Sequence, residues 1–200
     1  MLTDLPEPTG VNLTEVDLSE GYLVEKGAPT LAGLKSGNLF SCAYGSKKSL
    51  FREIAAINRV IVKKGLRLIP LRFREGRALL YLYRPAMLGR DLARPEAADL
   101  LKEAGYPELS QNKCLAELMR RLRAGGDFPH EIGLFLGYPV EDVRGFIEQG
   151  AAGSKYCGLW QVYGDVNRAR RLFASYKNCT ARWVARFNRG VPLEALTESV

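Results

Sequence analysis

The apolar positions of this chain change period several times along its length, and each change marks an element. Leu50, Ile54, Ile57 and Ile61 recur at spacings of three and four, which places them on one face of a helix. Gly45-Ser46 opens that run, and Gly65 follows Lys63 and Lys64, giving a start signal and a C-terminal stop. Ahead of the helix, residues 38–42 (Asn-Leu-Phe-Ser-Cys) suit a short strand. Behind it, residues 66–73 and 78–84 are rich in Leu, Ile, Phe and Tyr and are split by Arg74-Glu75-Gly76-Arg77, the pattern of a β-hairpin. Pro70 has no N–H to give to a ladder, so the first hairpin strand belongs at a sheet edge or carries a bulge.

Helical patterning returns over residues 94–104, 111–124, 128–136 and 139–149. Two of these segments end alike, in Gly105-Tyr106-Pro107 and Gly137-Tyr138-Pro139, with glycine suited to a left-handed cap and proline just beyond it. Residues 157–163 read as a last strand, and Gly164-Asp165 starts a long helix reaching Arg189. The order β-α-β-β, several helices, β-α predicts an α+β fold. It has a small mixed or antiparallel sheet covered on one face, with a split βαβ arrangement as one way to connect it. Several helices are inserted before the last strand, and a long C-terminal helix closes the chain. Pro6, Pro8, Gly10, Gly21, Gly27 and Pro29 punctuate the start. Residues 1–33 are therefore expected to be an irregular lead-in, leaving 34–200 as a single α+β domain.

Charge adds a relation between those two parts. The net charge is +7, yet residues 1–33 carry Asp4, Glu7, Glu15, Asp17, Glu20 and Glu25 against Lys26 alone, which leaves the rest of the chain at +12. A body so basic attracts anions, so the acidic lead-in is expected to pack on it. No apolar run approaches the roughly 18 residues of a membrane span, and Met1 is followed by Leu2, Thr3, Asp4 and Leu5 rather than a basic leader. Cys42, Cys114, Cys157 and Cys179 are widely spaced, with no C-x-x-C pair. These features predict a cytoplasmic protein with reduced thiols and no membrane partner.

Chemistry concentrates at the sole histidine. In Asp127-Phe128-Pro129-His130-Glu131-Ile132-Gly133, Asp127 can cap and Pro129 fits a first helical turn, so His130 and Glu131 fall at the positive end of a short helix. There His130 can exchange a proton beside an anionic ligand, with Glu131 as the second catalytic candidate. The bland alternative is a packed histidine and an ordinary first-turn acid. Leu134 stands where a zincin motif needs its second histidine. Lys35 lies in the loop Gly33-Leu34-Lys35-Ser36-Gly37, and Arg84 ends the second hairpin strand. Both are candidate anion contacts, with surface solvation as the alternative. A C-terminal helix from Asp165 to Arg189 places Arg168, Arg171, Arg182, Arg186 and Arg189 on one face. That face suits nucleic acid or an acidic partner, or is a solvated surface whose arginine stems cover apolar residues.

With these residues in view, the chain resembles a bacterial family, domain of unknown function 3793, found mainly in anaerobic Gram-positive bacteria. The resemblance rests on Pro29-Thr30-Leu31-Ala32-Gly33-Leu34-Lys35, Leu80-Tyr81-Leu82-Tyr83-Arg84, the run from His130 to Pro139 with Asp142-Val143, and Trp160-Gln161-Val162-Tyr163-Gly164-Asp165. It extends over most of the chain. It implies no activity and no cofactor, and it assigns no residue a role; relatives carry more cysteine around Cys157-Gly158-Leu159-Trp160 than this chain does.

Three functions follow as expectations. The first is a small-molecule or cofactor site, enzymatic or not, where the His130 helix start meets the sheet, with Lys35 and Arg84 as anion contacts and Tyr138 and Trp160 as walls. The second is a nucleic-acid or acidic-protein module built on the C-terminal helix. The third is a metal, haem or redox-associated protein using His130 with cysteine.

Overall fold

The computed structural model describes residues 18–124 and 128–197. Most of the acidic lead-in, residues 1–17, lies outside them, as does the expected cap Asp127. Where the lead-in enters the described chain it is a helix, α1 (Glu20–Leu31), capped by Ser19, whose hydroxyl accepts from Tyr22 N. An irregular run was expected there because of the glycines and Pro29, and packing explains the difference. A Cβ on Gly27 would meet Leu82 at 2.5 Å and one on Gly21 would meet Phe187 at 3.0 Å. These glycines let the helix lie close to its neighbours rather than break it. Pro29 sits in the last turn, and Leu23, Val24, Ala28 and Leu31 enter the core.

Strands β1 (Gly37–Ala43), β2 (Arg67–Arg74) and β3 (Arg77–Tyr83) form one sheet in the order β1-β3-β2, both pairings antiparallel. Helix α2 (Lys47–Ile61) connects β1 to β2. Those two strands run parallel with β3 between them, so the connection is a split βαβ. Glu75 and Gly76 both have positive φ (49° and 73°) between the paired Arg74 and Arg77, the geometry of a type I′ hairpin turn. The register of β2 shifts between Pro70 and Arg72, so Pro70 sits on an edge strand and at a bulge together.

The sheet is buried on both faces, not one. Leu80 and Leu82 of β3 point into a cluster with Leu50, Ile54, Ile57 and Ile61 of α2, the apolar side of α1 and Trp183. Tyr81 and Tyr83 point the other way, into a second cluster. That second cluster includes residues of α3 (Pro85–Leu92), α4 (Pro95–Glu103), α5 (Gln111–Ala124), α6 (Ile132–Phe135) and α7 (Val140–Gln149). The nearly unbroken apolar run from Ala78 to Tyr83 is what a strand covered on both sides requires.

The expected last strand does not join this sheet. Residues 156–162 form a separate two-stranded hairpin, β4 (Tyr156–Cys157) with β5 (Gln161–Val162). It packs through Trp160 and Val162 on α8 (Val166–Asn188), a helix capped by Asp165 as its sequence predicts. No described helix is long and apolar enough to cross a membrane.

Candidate functional site

Three chain segments that end in tight turns build the site. Helix α1 finishes at Gly33, φ +72°, with Leu34 N donating to Pro29 O and Gly33 N to Thr30 O, a Schellman closure. Helix α6 finishes the same way at Gly137, φ +69°, with Tyr138 N donating to Gly133 O. A Cβ on Gly137 would come within 2.7 Å of Ser36 Oγ, so the two closures meet. The residues just past them, Lys35 and Tyr138, are thereby brought side by side. The β4–β5 turn then lays Trp160 on Tyr138, ring centroids 4.5 Å apart and planes at 23°.

Between these segments and the middle of α8 is a cavity of about 480 Å³, whose lining includes Lys26, Lys35, Tyr138, Trp160, Tyr176 and Lys177. Its lining includes three lysines and no Asp or Glu among the described residues. Lys26 is half committed elsewhere, 2.6 Å from Glu25. Lys35 is not. It is only 8 % exposed, and among the described residues neither an ion pair nor a hydrogen bond reaches its Nζ. The amine instead lies 5.1 Å from the ring centre of Tyr138 and 5.6 Å from that of Tyr176, within cation–π range. Burial alone pulls its pKa down to about 7. Burial, then neighbouring Tyr176, pushes the Tyr138 hydroxyl up to about 12, so no phenolate stands by to neutralise the lysine. A second cavity of about 200 Å³, also reached by Lys35, Tyr138 and Tyr176, contains Asp91, which is held by Arg94 at 3.2 Å.

Trp160 is fixed from behind. Its indole N–H donates to Asp142 Oδ2 at 2.8 Å, while Asp142 Oδ1 accepts from Tyr163 N and Gly164 N, each at 2.8 Å. Asp142 is 3 % exposed, so one buried carboxylate on α7 anchors the whole turn that carries the aromatic wall. A Cβ on Gly145, one turn along α7, would lie 2.3 Å from the Tyr163 ring, which shows how closely the hairpin's exit approaches that helix.

Of the residues expected to form one site, the structure brings together Lys35, Tyr138 and Trp160 and sends the others elsewhere. Arg84 is 2 % exposed, and it donates from Nε to Thr30 O at 2.7 Å and from Nη2 to Leu31 O at 2.6 Å. It is a cap on the last carbonyls of α1, where a cation also suits the helix dipole. Replacing it by methionine leaves those buried acceptors unpaired, so Arg84→Met is expected to lower unfolding free energy by about 2–4 kcal/mol in urea titration. Arg84→Lys should recover only part of this, since lysine lacks the guanidinium fork.

His130 and Glu131 also lie outside the cavity lining. They form a turn ahead of α6, which is only four residues long and begins at Ile132. The helix expected to start at residue 128 is thus shorter and later. His130 lies edge-on to Phe146, centroids 4.8 Å apart. Glu131 is 6 % exposed and accepts from Tyr106 Oη at 3.1 Å and Arg121 Nη1 at 3.2 Å, a network that ties α5 to the turn. Along α8, Arg168 meets Glu141 at 3.3 Å and Arg186 lies over Trp183, while Arg171, Arg182 and Arg189 are exposed. Cys42, Cys114 and Cys179 are buried and Cys157 is exposed. Among the described residues no group of three or more His, Cys, Asp or Glu side chains is placed to hold a metal ion.

Sequence reasoning missed Tyr176, Lys177, Lys26 and Asn38 as lining residues. Tyr176 recurs at helical spacing with Ala169 and Phe173 on the buried side of α8. Its phenol is the polar tip on that side, and that was the available signal.

Fold and cavity together define an α+β protein in which an antiparallel sheet lies between helical layers and a lysine-bearing, aromatic-walled cavity opens beside α8. The chain belongs to the family described as protein of unknown function DUF3793, which matches residues 23–197. No curated protein and no solved structure matches it.

Proposed function

We propose that this protein binds a small organic anion with a flat apolar body in the cavity between Lys35 and α8, and that it does so in the cytoplasm. The carrying observation is the Lys35 amine, buried without a carboxylate partner and facing the space that Tyr138, Trp160 and Tyr176 enclose. A buried cation without a counter-ion is costly, and an anionic ligand supplies what the described residues do not. Stacked rings give a flat body its contact surface, and Lys177 adds a second positive charge to the lining. A cytoplasmic setting keeps the exposed thiol of Cys157 reduced. His130, Glu131 and Arg84 take no part in this reading.

The test uses Trp160 as reporter. Trp183 is buried, with its indole donating to Leu196 O, and supplies a constant background. Titration with 3-phenylpropanoate is expected to quench fluorescence saturably. The affinity should fall as salt rises from about 50 mM to about 0.5 M, as charge screening requires. Lys177→Glu should weaken binding about tenfold, the equivalent of about 1.4 kcal/mol. The cationic analogue 2-phenylethylamine should leave the signal unchanged. An equal response to both probes, or no saturable response to the anion, sinks the proposal.

A further inference from the structure

An amine that is buried, uncharged for part of its time and open to a cavity can do more than attract an anion. We propose that Lys35 is a nucleophile that condenses with the carbonyl group of a small α-oxo carboxylate held in the cavity, capturing it as an imine. This rests on the anion-binding reading above and names the reactive class within it.

Three observations support the chemistry. First, Nζ has no hydrogen-bonded or ion-paired partner among the described residues, so its lone pair is not tied up when the proton leaves. Second, the rings of Tyr138 and Tyr176 lie about the amine and exclude much of the water that would hydrate an ammonium, which is how desolvation activates a lysine. Third, the lining carries further positive charge at Lys26 and Lys177 and no acid among the described residues. The bound molecule is therefore expected to carry its own negative charge close to the reacting carbon. An α-oxo carboxylate meets both demands at once.

The step balances without a further reagent. The Nζ lone pair attacks the carbonyl carbon, the C–N bond forms, and the carbonyl oxygen takes up a proton as nitrogen loses one. The resulting carbinolamine then loses its hydroxyl together with the remaining N–H proton as water, and the nitrogen lone pair closes a carbon–nitrogen double bond. The charged groups around Lys35 are few. Those sharing its two cavities are Lys26 on α1, Lys177 and Arg168 on α8, and Asp91 on α3, which Arg94 engages at 3.2 Å; burial is what favours the neutral amine. Tyr138 and Tyr176 both have pKa values raised first by burial and stay protonated. Burial brings the Lys35 pKa to about 7, against about 10.4 for an unperturbed lysine, so the neutral fraction at neutral pH is larger by a factor on the order of a thousand.

The probe is phenylpyruvate with sodium cyanoborohydride, run beside 3-phenylpropanoate, which shares its shape and charge but has no ketone. On the full-length protein, reductive trapping is expected to add the mass of the probe less one oxygen atom. Peptide mapping should place the addition on Lys35 in about tenfold or greater excess over Lys26 or Lys177, because Lys35 alone of the three is buried. The initial trapping rate should fall as pH drops below about 7, where the amine takes up its proton. Lys35→Met should carry no addition above the reductant-only background. If 3-phenylpropanoate binds saturably but trapping yields no addition, or additions scattered in proportion to lysine exposure, the nucleophile is refuted and the anion site stands. If neither probe binds, both fall.

Discussion

Asp142→Ala is expected to lower the unfolding free energy by about 2–4 kcal/mol, because it removes the acceptor from one buried and two half-buried donors, and an orphaned buried donor costs about 1–3 kcal/mol. The indole N–H of Trp160 and the amides of Tyr163 and Gly164 all converge on this carboxylate. Water cannot readily replace it, since Val162 and Tyr163 beside it are also buried. Asp142→Asn separates the parts of the effect. Its remaining oxygen can still accept from the two amides, but its amino group faces the Trp160 N–H with a donor where an acceptor stood. Asn is therefore expected to cost less than Ala, about 1–3 kcal/mol, with the loss centred on the tryptophan. Glu141, just before it on α7 but exposed and paired among the described residues with Arg168 at 3.3 Å, serves as control. Glu141→Ala should change stability by less than about 0.5 kcal/mol. Urea unfolding followed by tryptophan fluorescence reads all three variants. A loss in Asp142→Ala no greater than in Glu141→Ala would mean that the hairpin is held by packing alone. Because the same carboxylate positions the aromatic wall, 3-phenylpropanoate binding should weaken in Asp142→Asn even at temperatures where the variant is fully folded.

How much of this was legible in the chain depends on whether the signal was local. Leu50, Ile54, Ile57 and Ile61 define the buried face of α2 by spacing alone, and all four are at most 5 % exposed. The hairpin turn, the bulge at Pro70, the Asp165 cap and the two Gly-Tyr-Pro closures were equally local, each following from one residue's backbone preference. Helix α1 was not, because Gly21 and Gly27 serve contacts with Phe187 and Leu82, which are remote in sequence. The 156–162 hairpin was not either. A run such as Cys-Gly-Leu-Trp-Gln-Val-Tyr carries strand propensity without saying which sheet it joins, and here it folds back on itself and on α8.

The site divides along the same line. Lys35 in its glycine-bounded loop and Tyr138 in its Gly-Tyr-Pro turn are local signals, and the two Schellman closures bring them together; Trp160 reads as a strand residue, and only the fold places it in a turn against Tyr138. Arg84 stands out as a charge at the end of a strand, but such a charge has no visible partner in sequence, and the carbonyls of Thr30 and Leu31 claim it. His130 and Glu131 drew notice as the one histidine and its neighbour, yet the helix behind them is a single turn, too short to provide the dipole that their reading needed. Asp142 lay inside the segment that carries the family resemblance. Only the fold shows that its importance lies in being the acceptor for a turn some twenty residues away.

Lys35→Met is expected to make the protein more stable, which is the opposite of what most buried substitutions do. In the folded state the amine titrates near 7, while in the unfolded chain a lysine titrates near 10.4. Below pH 7 both states carry the proton, and the full cost of burying the ammonium weighs against folding. As pH rises from about 7 towards about 10.4, the unfolded chain holds a proton that the folded one has released, so stability climbs with pH across that window and then levels off. The whole span amounts to about 4–5 kcal/mol at 1.36 kcal/mol per unit. Losing the cation–π contacts with Tyr138 and Tyr176 returns about 1–2 kcal/mol of it. Methionine fills a similar volume with no charge, so at pH 6 Lys35→Met should gain about 2–4 kcal/mol in urea unfolding over the parent. By pH 10 the advantage should shrink to less than about 1 kcal/mol. Other titrating groups are common to both proteins and cancel in the difference. If Lys35→Met is instead the less stable protein at pH 6, the ammonium has a charged partner in the folded chain, and the cavity loses the feature that makes it a site for an external anion.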